Sequence, residues 1–115
     1  MLEDVLITLE GIGDIKLSAI ISRHGLLMVS RATQESDSEA FAALTATLHM
    51  SAESTTKRLS KEIPKSIIVE TDEHSLITYA AGLNALIVVM ASNESGLGLI
   101  LNELKKAAEK VKEIV

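Results

Sequence analysis

The chain has 115 residues, a net charge of −5, one Phe (Phe41), one Tyr (Tyr79) and no cysteine. Without cysteine, disulfides, thiolate metal sites and a cysteine nucleophile are excluded. An acidic chain with almost no aromatic platforms also lacks what nucleic-acid phosphates and bases require. The length predicts one domain over residues 1–115, burying about two-thirds of its unfolded surface. The opening Met-Leu-Glu-Asp has no basic region before an apolar stretch, so no secretory signal is expected and the expected location is cytoplasmic.

In chain order, Leu2, Val5, Leu6, Leu9 and Ile12 recur at helical spacing and predict a short first helix ended by Gly11-Ile12-Gly13. "IKLSAIISR" (15–23) predicts a strand with Ile15, Leu17, Ala19 and Ile21 on one face. "HG" at 24–25 turns it into a second strand, "LLMVSR" (26–31), and Gly25 supplies the positive φ of a tight hairpin. Ser36 and Glu39 stand in capping-box spacing, and no Gly or Pro follows before Pro64. A helix over about 37–62 results, with Phe41, Leu44, Leu48, Ala52, Thr55 and Leu59 as its apolar face. At 1.5 Å per residue it is roughly 36–40 Å long, which is long for so small a domain.

After Pro64, "SIIVETD" (66–72) predicts a third strand, "HS" a turn, "LITYAAG" a fourth strand and "ALIVVMAS" a fifth. The uncharged stretch 75–93 approaches the length of a membrane span. "GLN" at 82–84 is turn chemistry in its middle, and β-branched residues fill both halves, so a hairpin is expected in its place. A last helix from about Leu97 turns Ile100, Leu104, Ala107, Ala108, Val111 and Ile114 inward. Hairpin connections make the sheet antiparallel. A fifth strand apolar on both faces needs cover on both sides. The expected fold is an α/β sandwich of three layers.

No catalytic constellation emerges. "SGLGLIL" (95–101) has Gly-x-Gly spacing but lacks the lysine and hydroxyl of a phosphate loop, and Leu101 stands where a dinucleotide fingerprint needs a third small residue. Its glycines are expected to let the last helix start close against the sheet. His24, His49 and His74 offer no metal-ligand spacing; His24 and His74 fall in turns and His49 on the exposed side of the long helix. Ser22, Arg23 and His24 are adjacent on a strand, so they point to alternating faces and form no relay. No cofactor, metal or catalytic residue is expected.

The spaced pattern of small and apolar residues in "LEGIGDIKLSAIISRHGLLMVSR" (9–31), "DSEAFAAL" (37–44), "ITYAAGLNALIVVMAS" (77–92) and "LGLILNELKKAAEKV" (97–111) resembles the Roadblock family. That family includes dynein light chains and bacterial and archaeal regulators of Ras-like GTPases. The resemblance implies a Roadblock/profilin-like fold: a five-stranded antiparallel sheet with one long helix on one face and two helices on the other. It also implies homodimers, or heterodimers with a paralogous Roadblock protein, that join edge strands. It further implies a non-catalytic adaptor or regulator of a Ras-like small GTPase that binds no nucleotide itself. Arg23, Arg31 and Arg58 are the available arginine fingers.

The alternative is a scaffold module of a motor, filament or membrane-associated complex without GTPase contact. A small-molecule sensor is a third reading. Ile67, Ile68, Val69 and Glu70 form an apolar strand expected at the sheet edge and are the expected dimer contact. The outward side of the long helix, with Glu39, His49, Met50, Glu53 and Lys57, is the expected docking surface for the GTPase.

Overall fold

A computed structural model describes residues 1–32 and 38–115. The elements run α1 (Leu2–Glu10), β1 (Ile15–Ser22), β2 (Leu27–Ala32), α2 (Ser38–Ser60), β3 (Ser66–Glu70), β4 (His74–Ala81), β5 (Ala85–Ser92) and α3 (Leu97–Ile114). Ser36, half of the expected capping box, lies outside the described residues, as does the expected helix start at 37. The five strands form one sheet in the order β2-β1-β5-β4-β3, with every pair antiparallel. α1 and α3 pack on one face and α2 on the other.

The strand order follows from hydrophobicity. β5 is apolar at nearly every position and buried along its length, so it takes the centre. Its neighbours β1 and β4 are mostly buried, while the edge strands β2 and β3 are only partly covered. Positive φ at Gly25 (91°) and Gly82 (71°) closes the β1–β2 and β4–β5 turns. The uncharged stretch 75–93 is thus the expected hairpin, and among the described residues no helix is long and apolar enough to cross a membrane.

The cores on the two faces differ in kind. Beneath α1 and α3, Leu6, Ile20, Ile77, Ile87, Leu104 and Val111 interlock as large side chains. Beneath α2, the helix contributes Ala42 and Ala46 against Leu17, Ala19, Ile21, Leu86 and Val88. Small residues let α2 lie close to the sheet, and Gly25 does the same from below: a Cβ there would sit 3.0 Å from the Cα of Ala43.

Four local expectations are corrected. Ile15 does not share a face with Leu17, Ala19 and Ile21, because a register shift between Ile15 and Leu17 turns it towards α1 and α3. His74 and Ser75 belong to β4, and Thr71–Glu73 make the turn. Ile114 is exposed at the last turn of α3. The largest correction concerns α2, which buries Ala42, Thr45, Ala46 and His49. The expected apolar face is instead largely in solvent: Leu44 is 72% exposed, Leu48 37% and Leu59 83%.

Candidate interaction surface

The underside of α2 holds a polar cluster. His49 is 1% exposed, not on the outward side as its sequence neighbours imply. Its Nδ1 lies 3.2 Å from the Thr78 hydroxyl on β4, and its Nε2 has no hydrogen-bond partner among the described residues. Close by, Arg23 from the β1–β2 turn donates through Nη2 to Glu53 Oε2 at 2.9 Å, and Lys57 stands 3.4 Å from Glu53 Oε1. Burial pushes the His49 imidazole below its ordinary pKa; the Arg23 cation adds to the effect and Glu53 opposes it. α2 is therefore attached by alanines, one neutral imidazole and one part-buried ion pair.

The rest of α2 presents two flanks. The flank containing Ala43 leans towards the β1–β2 turn, where Gly25 meets Ala43 and Ala46. Glu39, Met50 and Lys57 are exposed on this side. The other flank carries Leu44, Leu48 and Leu59 in helical register. α2 lies over β1 and β2 and reaches β4 through His49; this leucine flank is the one turned away from the β1–β2 turn, and beyond β4 lies the edge strand β3. There Ile67 is half-buried, Ile68 and Val69 are exposed, and Glu70 is exposed.

A sequence family model for the Roadblock/LC7 domain matches residues 1–91. The chain belongs to the Roadblock/LC7 domain family. The closing segment 97–111 lies beyond the matched residues. An uncharacterized protein of Methanocaldococcus jannaschii, MJ1340, is 28% identical over 112 residues, spanning 97% of each chain. The solved structure of Myxococcus xanthus MglB superposes with a TM-score of 0.92 at 24% identity, covering 98% of this chain and 93% of that one. Acanthamoeba castellanii profilin II superposes with a TM-score of 0.69 at 18% identity, covering 96% and 94%. The fold is the Roadblock/profilin-like one that the sequence resemblance implies.

Within this Roadblock domain several of the remaining candidate residues have structural partners. Ser22 Oγ accepts the Leu26 N–H at 3.0 Å and so closes a turn. Arg31 on β2 is held by Glu10 (2.6 Å) and Glu3 (3.0 Å) of α1, and its hydrogen bond to Glu10 is the main reason its pKa is raised. Of the three candidate fingers, Arg23 and Arg31 are thus engaged, and Arg58 is the exposed one on α2. Among the described residues no group of three His, Cys, Asp or Glu side chains is placed to hold a metal.

The glycine loop differs from its expected role. A Cβ at Gly98 would meet nothing within 4 Å, and one at Gly96 only the Leu99 Cβ at 3.8 Å. The tight contact belongs to Gly13, where a Cβ would lie 3.0 Å from Ser95 Oγ. Ser95 Oγ also accepts the Asp14 N–H at 2.9 Å, joining the start of β1 to the loop before α3. Asn93 in the same loop is a second tie, which the sequence reading missed. It accepts from the Ser75 hydroxyl (2.7 Å) and donates to the carbonyls of Thr71 (2.8 Å) and Asp72 (3.1 Å). Its signal was an Asn directly after a buried strand, a usual place for a side chain that ties a turn.

Proposed function

We propose that this Roadblock domain is a non-catalytic homodimeric adaptor that binds a Ras-like small GTPase and regulates it. The observation that carries the dimer is the open edge of β3, with Ile68 and Val69 exposed, together with the exposed Leu44, Leu48 and Leu59 of α2. Large apolar side chains left in solvent along one helix flank mark a candidate interaction surface. An unpaired strand edge invites a second strand, and a two-fold pairing of identical edges is the simplest closed solution. Ile67, Ile68, Val69 and Glu70 make the strand part of this contact, and the leucine flank of each long helix meets its counterpart above it.

With the leucine flanks facing each other, the opposite flanks stay open to another protein. Glu39, Met50 and Lys57 lie there and mix charge with apolar area, as transient interfaces do. His49 and Glu53 support this surface from within: His49 is buried and Glu53 is committed to Arg23 and Lys57. Membership of the Roadblock/LC7 family supports a GTPase as the partner and a non-catalytic role. Any effect on GTP hydrolysis then works by holding the GTPase's own groups in place.

The test uses two variants of the full chain. Leu48→Asp should convert the dimer to monomer in sedimentation velocity. Met50→Arg with Lys57→Glu should leave the dimer intact and weaken binding to a Ras-like GTPase of the source organism, loaded with a non-hydrolysable GTP analogue, by about tenfold. A wild-type dimer that binds none of those GTPases supports the scaffold reading instead. A wild-type chain that stays monomeric at tens of micromolar overturns the dimer.

A further inference from the structure

The ladder between β3 and β4 determines what β3 leaves free. The Thr71 N–H donates to the His74 carbonyl at 2.8 Å, and the Ala80 N–H donates to the Lys65 carbonyl at 2.9 Å. Odd-numbered positions therefore turn their peptide groups to β4. Ser66, Ile68 and Glu70 turn theirs to the open edge, because the alternation has period two. The side chains of these three residues lie on the α1/α3 face, since they pair with Tyr79, Ile77 and Ser75, of which Ile77 and Tyr79 pack in that core.

A two-fold axis through the sheet keeps each side chain on its own face. Only registers centred on a residue are then allowed, and full pairing of the strand centres on Ile68. In that register Ser66 stands opposite the partner's Glu70, and Pro64 opposite the partner's Asp72. Beside these positions runs a groove of about 790 Å³ between α3 and the end of the β3–β4 pair, which reaches Pro64 itself and Tyr79, the cross-strand neighbour of Ser66. Pro64, Tyr79 and Leu83 line it, and along one stripe of α3 so do Lys105, Glu109 and Lys112. The Lys112 side chain packs against Gly82 at the hairpin tip, where a Cβ would lie 3.2 Å from its Cγ. Lys105 sits two turns earlier, about 10 Å back along the helix and towards the Tyr79–Ser66 row.

We infer that in the homodimer Lys105 and Lys112 of each copy clasp the partner's Glu70 and Asp72, and that these contacts select the β3 register. The inference rests on the homodimer reading above and names the charges that complete it. All four residues are exposed, and none forms an ion pair among the described residues. Lys65, Lys105 and Lys112 outweigh the single Glu109 on the groove wall, in a chain whose net charge is −5. The turn that carries Asp72 is held in place in advance, because Asn93 binds the carbonyls of Thr71 and Asp72. The next allowed register shifts the strands by two residues, about 7 Å, and takes the acids away from the lysines. Like-charge or empty positions there are how a sequence rejects an unwanted pairing.

The test is a charge swap in the full chain. One variant carries Lys105→Glu and Lys112→Glu, and the other Glu70→Lys and Asp72→Lys. Each alone sets like charges opposite each other, and its dimer should dissociate at least tenfold more readily than wild type in sedimentation equilibrium. An equimolar mixture sets opposite charges at both grooves and should restore a heterodimer of wild-type affinity, which also shows that both variants are folded. In parallel, the wild-type dimer should weaken severalfold between about 0.05 and 0.5 M NaCl, as exposed ion pairs are screened. Variants that dimerise like wild type, a folded mixture without rescue, or a salt-independent dimer each overturn the clasp while leaving the dimer standing. A monomeric wild type overturns both.

Discussion

Nδ1 of His49 lies 3.2 Å from the hydroxyl oxygen of Thr78, across the seam between the long helix and the sheet. It is the buried polar contact of a helix whose other anchors are Ala42, Thr45 and Ala46. The sheet accepts α2 with a neutral imidazole beneath it, and a protonated one would place a second cation beside Arg23.

Stability should therefore depend on pH through His49. Its folded pKa lies below the unfolded value of about 6.5, so the unfolded chain binds more protons in the window below that value. The contribution is full above about pH 6.5 and is lost as pH falls from there towards the folded pKa. Urea unfolding at pH 7.5, 6.5 and 5.5 should show a falling midpoint for wild type. His49→Gln keeps a partner for Thr78 but cannot titrate, and should flatten the curve over this range. An unchanged slope in the variant would rule His49 out.

Glu53→Ala should cost about 1–3 kcal/mol, because it leaves the part-buried Arg23 guanidinium without its acceptor. Removing Arg23 as well should restore part of that loss. A double-mutant cycle by urea denaturation should give a coupling of about 0.5–3 kcal/mol. A coupling indistinguishable from zero would mean that Lys57 and solvent replace the pair.

Gly98→Ala should stabilise the chain by up to about 0.5 kcal/mol, since the site lies in the first turn of α3 with open space around it. Gly13→Ala should do the opposite, because its new methyl meets Ser95 and disturbs the bond to Asp14. Thermal melts of the two variants separate these outcomes. A destabilising Gly98→Ala would return the close-packing role to that glycine.

Asn93→Ala removes one hydrogen-bond acceptor and two donated bonds and should cost about 1–3 kcal/mol. The loss should be local. Amide hydrogen exchange of residues 71–75 should speed up well before the β1–β5 amides respond. Uniform acceleration across the sheet would show that the loop belongs to the global unfolding unit.

The elements were legible in the sequence where a single local rule governed them. Periods of two and near four, Gly25, Pro64 and the turn at 82–84 marked strands, helices and their ends, because these are properties of neighbouring residues. α3 was read almost completely: its stripe from Ile100 to Val111 is packed against one large-residue core. α2 was read on the wrong side. Its leucines make the more obvious stripe, but the sheet beneath takes small residues, and which stripe faces inward depends on what is waiting there. A sequence pattern reports that a surface is apolar and leaves open whether its own chain or another one covers it. The same limit hid the Arg23–Glu53 pair, the Asn93 tie and the burial of His49. Each joins residues far apart in the chain, and only the packing of α2 and the loops onto the finished sheet brings them together.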